Sequence, residues 1–277
     1  MSKWVLSPEE AKELISQGAT VFDTRNKLTC FLGHISGAIN INWQSFSQNP
    51  KYNRGKLIED NKHLQEKFRQ LGVCNAKPVV VVGNTSRGFG EEGRIVWMLR
   101  SLGHENVAFV DGGYNALLRL NIATTTGFKT TKSIGDFVIN RTSRWDIQED
   151  EIKISDTKNN LNNLKIIDTR SKAEYSGFII FGEQRGGHIP DAGHLYFKDL
   201  MDKSGKLYPS EVITTKLSSL GISLDTPIVT YCTGGVRSAF VLCVLVNLGY
   251  FDVKNYAGSM WEWSAGDAEI YPLIKFS

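Results

Sequence analysis

The sequence is written twice, and that repetition limits what the chain can fold into more than any other feature. Val21-Phe22-Asp23-Thr24-Arg25 recurs as Ile166-Ile167-Asp168-Thr169-Arg170, and Gly33-His34-Ile35-Ser36-Gly37-Ala38 as Gly187-His188-Ile189-Pro190-Asp191-Ala192. Pro78-Val79-Val80-Val81-Val82 is answered by Pro227-Ile228-Val229-Thr230-Tyr231. Leu102-Gly103 and Val110-Asp111-Gly112-Gly113 are answered by Leu248-Gly249 and Tyr256-Ala257-Gly258-Ser259. The landmarks keep their order at offsets of 145, 154, 149 and 146 residues. A period this long is a duplicated domain, and 277 residues hold two domains of ordinary size.

Each half alternates strands with helices. Ser7-Pro8-Glu9-Glu10 has an N-cap residue, proline at the first helical position and acids in the first turn, with Ala11 to Ile15 continuing the helix. Ala19 to Phe22, Val79 to Val82, Val107 to Val110 and Ile228 to Tyr231 read as buried strands. Gly93 to Leu102, ending at Gly103, and Ser238 to Leu248 read as helices. The expected fold is α/β, each domain a mainly parallel sheet flanked by helices on both faces. Residues 1–123 form the first domain in this reading. Residues 124–136, opening on the Thr-rich run Thr124 to Lys132, are the linker, and residues 137–277 the second domain. Phe137-Val138-Ile139 opens the second domain, and the polar stretch Asp156 to Asn163 is a loop or short helix before the Ile166 strand.

A hydrophobic fraction of 41%, a charged fraction of 22% and a formal charge of +3 describe a globular protein, one suited to small anionic ligands rather than to nucleic acid. The N-terminus lacks the apolar core of a signal peptide, and no stretch approaches the roughly 18 apolar residues of a membrane span. Cys30, Cys74, Cys232 and Cys243 show no metal-ligand spacing, which predicts reduced thiols, no metal and a cytoplasmic location.

One cysteine stands apart. In Thr230-Tyr231-Cys232-Thr233-Gly234-Gly235-Val236-Arg237-Ser238 a buried strand ends at Cys232, a glycine-rich bend follows, and an apolar helix begins. Ligands of open α/β sheets bind beyond the carboxyl ends of the strands. Gly234 and Gly235 allow backbone N–H groups to turn inward as an anion cradle, and the helix start and Arg237 add positive charge. All three lower a thiol pKa and favour the nucleophilic thiolate. A cysteine that were merely a small core residue would explain neither the glycines nor the arginine. That plainer reading does fit Cys243, between Leu242 and Val244, while Cys30 and Cys74 read as loop cysteines.

These residues resemble the tandem-domain rhodanese sulfurtransferases. The resemblance is carried by Asp168-Thr169-Arg170, by Gly187-His188-Ile189-Pro190, by the six-residue loop from Cys232 to Arg237, and by Gly258-Ser259-Met260-Trp261-Glu262-Trp263. It implies that Cys232 takes a sulfane sulfur from a small anionic donor, thiosulfate or 3-mercaptopyruvate. Cys232 would hold it as a persulfide and pass it to cyanide or a thiol, with no cofactor. It also implies that the amides of Thr233, Gly234, Gly235, Val236 and Arg237 cradle developing charge, and that Arg185 orients the substrate. Arg237 tilts the donor towards thiosulfate, although the family's loops commonly end in threonine at that position. A monomer is expected, the second domain covering the first.

In the first half the position matching Cys232 is Gly83, and Gly83-Asn84-Thr85-Ser86-Arg87-Gly88 offers no sulfur carrier. That half resembles the inactive partner domain of tandem members. Asp168 and Arg170 read as a structural ion pair, His34 and His188 as loop ties, and Trp261 and Trp263 as core or cleft-wall aromatics. Three alternatives stay open. One is a phosphatase of the related fold, although Cys232 and Arg237 enclose four residues rather than five. Another is a non-catalytic binding module. The third is a sulfur relay with a protein acceptor, which an exposed apolar patch near the site would favour.

Overall fold

The computed structural model describes residues 3–49, 54–127, 133–156 and 164–275. The chain forms two compact units, and each half lends the other a short segment. The first unit holds Met1–Phe46, Ile58–Thr142 and Met201–Leu207; the second holds Ser47–Leu57, Ser143–Leu200 and Tyr208–Ser277. The lent segments occupy matching places in the repeat. Each follows a 3-10 turn, Trp43–Phe46 or Phe197–Leu200, and each is closed by an antiparallel bridge, Ser47 to Leu57 or Met201 to Leu207.

In the first unit strands β1 (Val5–Leu6), β2 (Thr20–Asp23), β3 (His34–Ile35), β4 (Ile39–Asn40), β5 (Val79–Val82), β6 (Val107–Val110) and β7 (Thr124–Thr125) alternate with helices. These are α1 (Pro8–Ser16), α2 (Lys27–Leu32), α3 (Asn61–Gln70), α4 (Glu91–Ser101) and α5 (Gly113–Arg119). The main sheet is parallel throughout, in the order β1-β6-β5-β2-β4, while β3 and β7 pair antiparallel. Successive strand residues face opposite sides, and Val79 to Val82 are all fully buried, so both faces of the sheet are covered. Helix α1 starts as its sequence dictates. The Ser7 hydroxyl accepts from the Glu10 N–H and the Glu10 carboxylate from the Ser7 N–H, so two orphan donors are satisfied.

The second unit contains α6 (Glu149–Asp156), β8 (Lys165–Asp168), α7 (Lys172–Ser176), β9 (Gly193–His194), α8 (Ser210–Ser219), β10 (Ile228–Tyr231), α9 (Arg237–Asn247), β11 (Val253–Asn255) and α10 (Ser259–Trp263). Its sheet is again parallel, ordered β11-β10-β8-β9. Helix α9 is buried from Arg237 to Leu245. A helix apolar on all sides belongs inside a core, and Cys243 lies within it.

Two sequence expectations change here. Phe137 does not open the second domain. It is fully buried in the first unit, edge-on to Phe68 at 6.1 Å, with its N–H on the Val73 carbonyl and its carbonyl accepting from Arg69. Thr124 and Thr125, placed in the linker, form β7 against His34 and Ile35. The linker residues 128–132 and the polar residues 157–163 lie outside the described residues.

Candidate active site

Cys232 follows the last residue of β10, and the loop Cys232 to Val236 delivers the chain into α9. The thiol is buried, with 1% of the residue exposed. Its position is fixed from the far side by α10. The Cys232 N–H donates to Ser259 Oγ at 3.1 Å, and Ser259 Oγ donates to the Tyr256 carbonyl at 2.6 Å. The N–H groups of Met260 and Trp261 donate to the carbonyls of Cys232 and Thr233. Ser259 adopts a left-handed φ of 51° to do this, a strained conformation for a residue with a Cβ. The two glycines have separate uses. Gly235 has a φ of 74°, and a Cβ on Gly234 would overlap the Trp261 ring.

Burial opposes ionisation of the Cys232 thiol, yet its pKa falls below the ordinary value. The Arg237 charge, the Ser238 hydroxyl and the backbone N–H groups of Ser238 and Gly234 together outweigh the burial. Ser238 Oγ lies 3.5 Å from the sulfur and 2.6 Å from Asn255 Oδ1, and Asn255 donates in turn to the Gly235 carbonyl. The loop is thus a thiolate cradle tied to β11.

Arg237 and Arg185 both make extensive contacts within the protein. Arg237 forms a bidentate pair with Glu174, 2.7 Å from Nη1 to Oε2 and 2.8 Å from Nη2 to Oε1, and donates to Thr233 Oγ1 at 2.7 Å. Its charge reaches Cys232 as a field, while Nη1 and Nη2 donate to Glu174 and Thr233. Arg185 spends its guanidinium on the backbone carbonyls of Trp263, Ser264, Gly266 and Tyr271. Through Nε and Nη2 it fastens the chain after α10. Thr233 Oγ1 also touches Glu174 and Glu183, and Val236 is buried at the start of α9.

The remaining landmarks are structural. Arg170 and Asp168 form a buried ion pair, with Arg170 also on the Gly187 carbonyl. Nδ1 of His34 contacts the Cys30 carbonyl and Nδ1 of His188 the Tyr175 carbonyl, the same tie in each half. Cys30 lies in helix α2 rather than in a loop; burial, then Asp23, pushes its thiol up to about 12, so it is inert.

Sequence reasoning missed Glu174, Ser238, Asn255, Ser259 and Arg54. Glu174 had a signal: Ser171-Lys172-Ala173-Glu174 is a capping box, which places the carboxylate at the first turn of α7. Arg54 had none, because it arrives on the segment lent by the other half. Its guanidinium stacks on the Trp261 ring at 3.6 Å and donates to the Phe181 carbonyl at 3.0 Å. Next to it Gly55 is packed against the Gly234 and Ala257 carbonyls, and Lys56 pairs with Glu262.

The two like halves, with Cys232 in one and Gly83 at the matching place in the other, match a known domain model. The model of the rhodanese-like domain matches residues 7–119 and again residues 153–266. The chain belongs to the rhodanese family. This rhodanese is a sulfurtransferase. It is 30% identical over 259 residues to the sulfur carrier protein TtuD of Thermus thermophilus, covering 88% of this chain and 86% of that one. To a thiosulfate sulfurtransferase of Azotobacter vinelandii it is 30% identical over 213 residues, 75% of this chain and 74% of the relative. Among solved structures it is similar to SseA from Escherichia coli, a 3-mercaptopyruvate sulfurtransferase. The TM-score is 0.78 and the identity 25%, over 93% of this chain and 98% of that one.

Proposed function

We propose that this rhodanese transfers sulfur through a persulfide on Cys232, loaded from a small anionic donor of the thiosulfate or 3-mercaptopyruvate type. The observation that carries the reading is a buried thiol held below its ordinary pKa by Arg237, Ser238 and the loop amides. In the first step the Cys232 thiolate attacks the outer sulfur of the donor. A sulfur–sulfur bond forms, and sulfite leaves with the electron pair of the broken bond, or pyruvate leaves after taking up a proton. In the second step a thiol or cyanide takes the outer sulfur, and the thiolate is restored. The N–H groups of Gly234 and Ser238 face the sulfur throughout and stabilise its charge as preorganised dipoles.

A second reading concerns the acceptor. Phe178, Ile179, Ile180 and Phe181 form an exposed apolar run in the second unit, Phe178 with 68% of its surface open. The Phe181 ring lies 5.3 Å from the Arg237 guanidinium. An apolar run at the edge of the site supports delivery to a protein thiol, as in a sulfur relay. The test is intact mass after incubation with thiosulfate or 3-mercaptopyruvate, beside Cys232→Ala. A gain of about 32 Da that the variant lacks and that a thiol or cyanide removes is expected. A wild-type protein that gains no sulfur from either donor would overturn loading by a small molecule.

A further inference from the structure

A cavity of about 530 Å³ opens in the first unit, beyond the carboxyl ends of its central strands. The turns after β2 and β5 line it with Arg25 and with Gly83 to Arg87, and the turn after β6 and helix α5 with Gly112, Tyr114, Asn115 and Arg119. The lent segment Met201–Leu207 adds Lys203 and Ser204. This is where an open parallel sheet presents its ligand, and the volume is that of a small-molecule site. Gly83, in the place of a sulfur carrier, forms part of the wall.

Its chemistry is one-sided. Arg87, Arg119 and Lys203 line the cavity, and none pairs with a carboxylate among the described residues. No carboxylate is among the lining residues. Arg25 is neutralised by Asp23 and lies over the Tyr114 ring at 3.3 Å. The neighbouring acids are turned to other uses. Glu91 holds the Phe89 N–H, Asp202 the N–H groups of Ser204 and Lys206, and Asp111 the Leu207 N–H. The Glu92 carboxyl, buried behind Gly83, is pushed to about 8 by burial and so is uncharged at neutral pH. Thr85 adds an independent sign. It is a lining residue, 3% exposed, and its hydroxyl, packed towards Gly205, has no hydrogen-bond partner among the described residues. A buried hydroxyl left unpaired costs free energy that a ligand oxygen would recover. Three cations without an ion-pair partner around one concavity favour an anion between them.

We propose that this cavity is a binding site for a small, multiply charged oxyanion, a phosphate ester or a polycarboxylate, separate from the sulfur chemistry of Cys232. The side chains of Arg87, Arg119 and Lys203 supply the charge, Thr85 donates to an oxygen, and Asn84 and Asn115 add neutral polar lining.

The experiment is calorimetric titration of the full-length Cys232→Ala protein at low ionic strength, with pyrophosphate and with citrate as probes of the two ligand sources. At least one probe saturates one site with a Kd below about 1 mM, and Arg87→Ala/Arg119→Ala/Lys203→Ala weakens it by about tenfold or more. Thr85→Val weakens the same probe while leaving the melting temperature within about 2 °C, which separates loss of a ligand contact from loss of fold. With Cys232 intact, the triple variant loads sulfur at the wild-type rate, so failure of the anion site and failure of the persulfide reading are told apart. The proposal is overturned if neither probe saturates below about 1 mM, or if the triple variant loses less than about tenfold.

Discussion

Arg237 and Glu174 meet as a bidentate, buried ion pair beside Cys232, with both nitrogen–oxygen contacts at 2.8 Å or less. One of these residues opens α9 and the other sits in the first turn of α7, so the pair joins the reactive loop to the strand-to-helix turn after β8. The arrangement gives the thiolate a positive neighbour that cannot leave. Because the charge is fixed, Cys232 needs no reorganisation when it ionises.

The first prediction concerns that charge. Arg237→Met removes the largest factor lowering the Cys232 pKa, leaving burial to raise it. The pH–rate profile for persulfide loading shifts to higher pH, and loading at neutral pH slows by about tenfold. Stopped-flow loading across pH checks both. A profile that keeps its midpoint would mean that the loop amides alone hold the thiolate.

The partner carries an acid-dependent share of stability. Burial disfavours the Glu174 carboxylate, but the Arg237 and Ser171 hydrogen bonds prevail and pull its pKa down to about 2 from 4.5. A depressed carboxylate pKa contributes stability that is present above pH 4.5 and is lost as pH falls towards 2. Glu174→Gln therefore destabilises the protein by about 3 kcal/mol at pH 7 and much less at pH 3. Urea unfolding at the two pH values measures the difference. An equal loss at both would assign the effect to packing instead of charge.

Gly234 faces Trp261 with no room for a side chain. Gly234→Ala drives a Cβ into the indole, which is held by the Arg54 stack and by its own Nε1 on the Phe181 carbonyl. Overpacking of this kind costs about 1–3 kcal/mol and displaces the loop N–H groups, so loading falls by about tenfold or more. Gly234→Ala/Trp261→Ala restores space, and stability returns towards the single Trp261→Ala protein. Thermal unfolding of the three proteins tests the coupling.

The sequence made the sheets and the duplication readable, because each rests on local pattern: valine runs, and landmarks repeated in the same order in both halves. What it hid is long-range. The charge of Arg237 beside the thiol is legible in the loop, but a loop sequence does not show Glu174 arriving from α7 to hold it. For Arg185, only the fold brings the carbonyls of Trp263, Ser264, Gly266 and Tyr271 around it. Phe137 was misassigned because a short apolar run fits either domain, and burial against Phe68 decides which.

The last prediction joins the vacant sulfur position to its neighbour. A Cβ on Gly83 would overlap the Glu92 carboxyl, so Gly83→Cys does not create a second sulfur carrier, and its intact mass shows no second sulfur. Glu92 itself has an opposite pH signature to Glu174. Burial, and then the charge of Glu91, raises its carboxyl from 4.5 to about 8, and neither oxygen finds a partner among the described residues. An acid with a raised pKa in the folded state supports stability fully below pH 4.5, and that support is lost as pH rises towards 8. Glu92→Gln keeps the shape and removes the titration. It matches wild type near pH 4.5 and exceeds it by about 4 kcal/mol at pH 8, read from denaturation midpoints across that range. A wild-type protein whose stability does not decline between those pH values would mean that the Glu92 carboxyl is charged, and a charged group there would need a cation beside it.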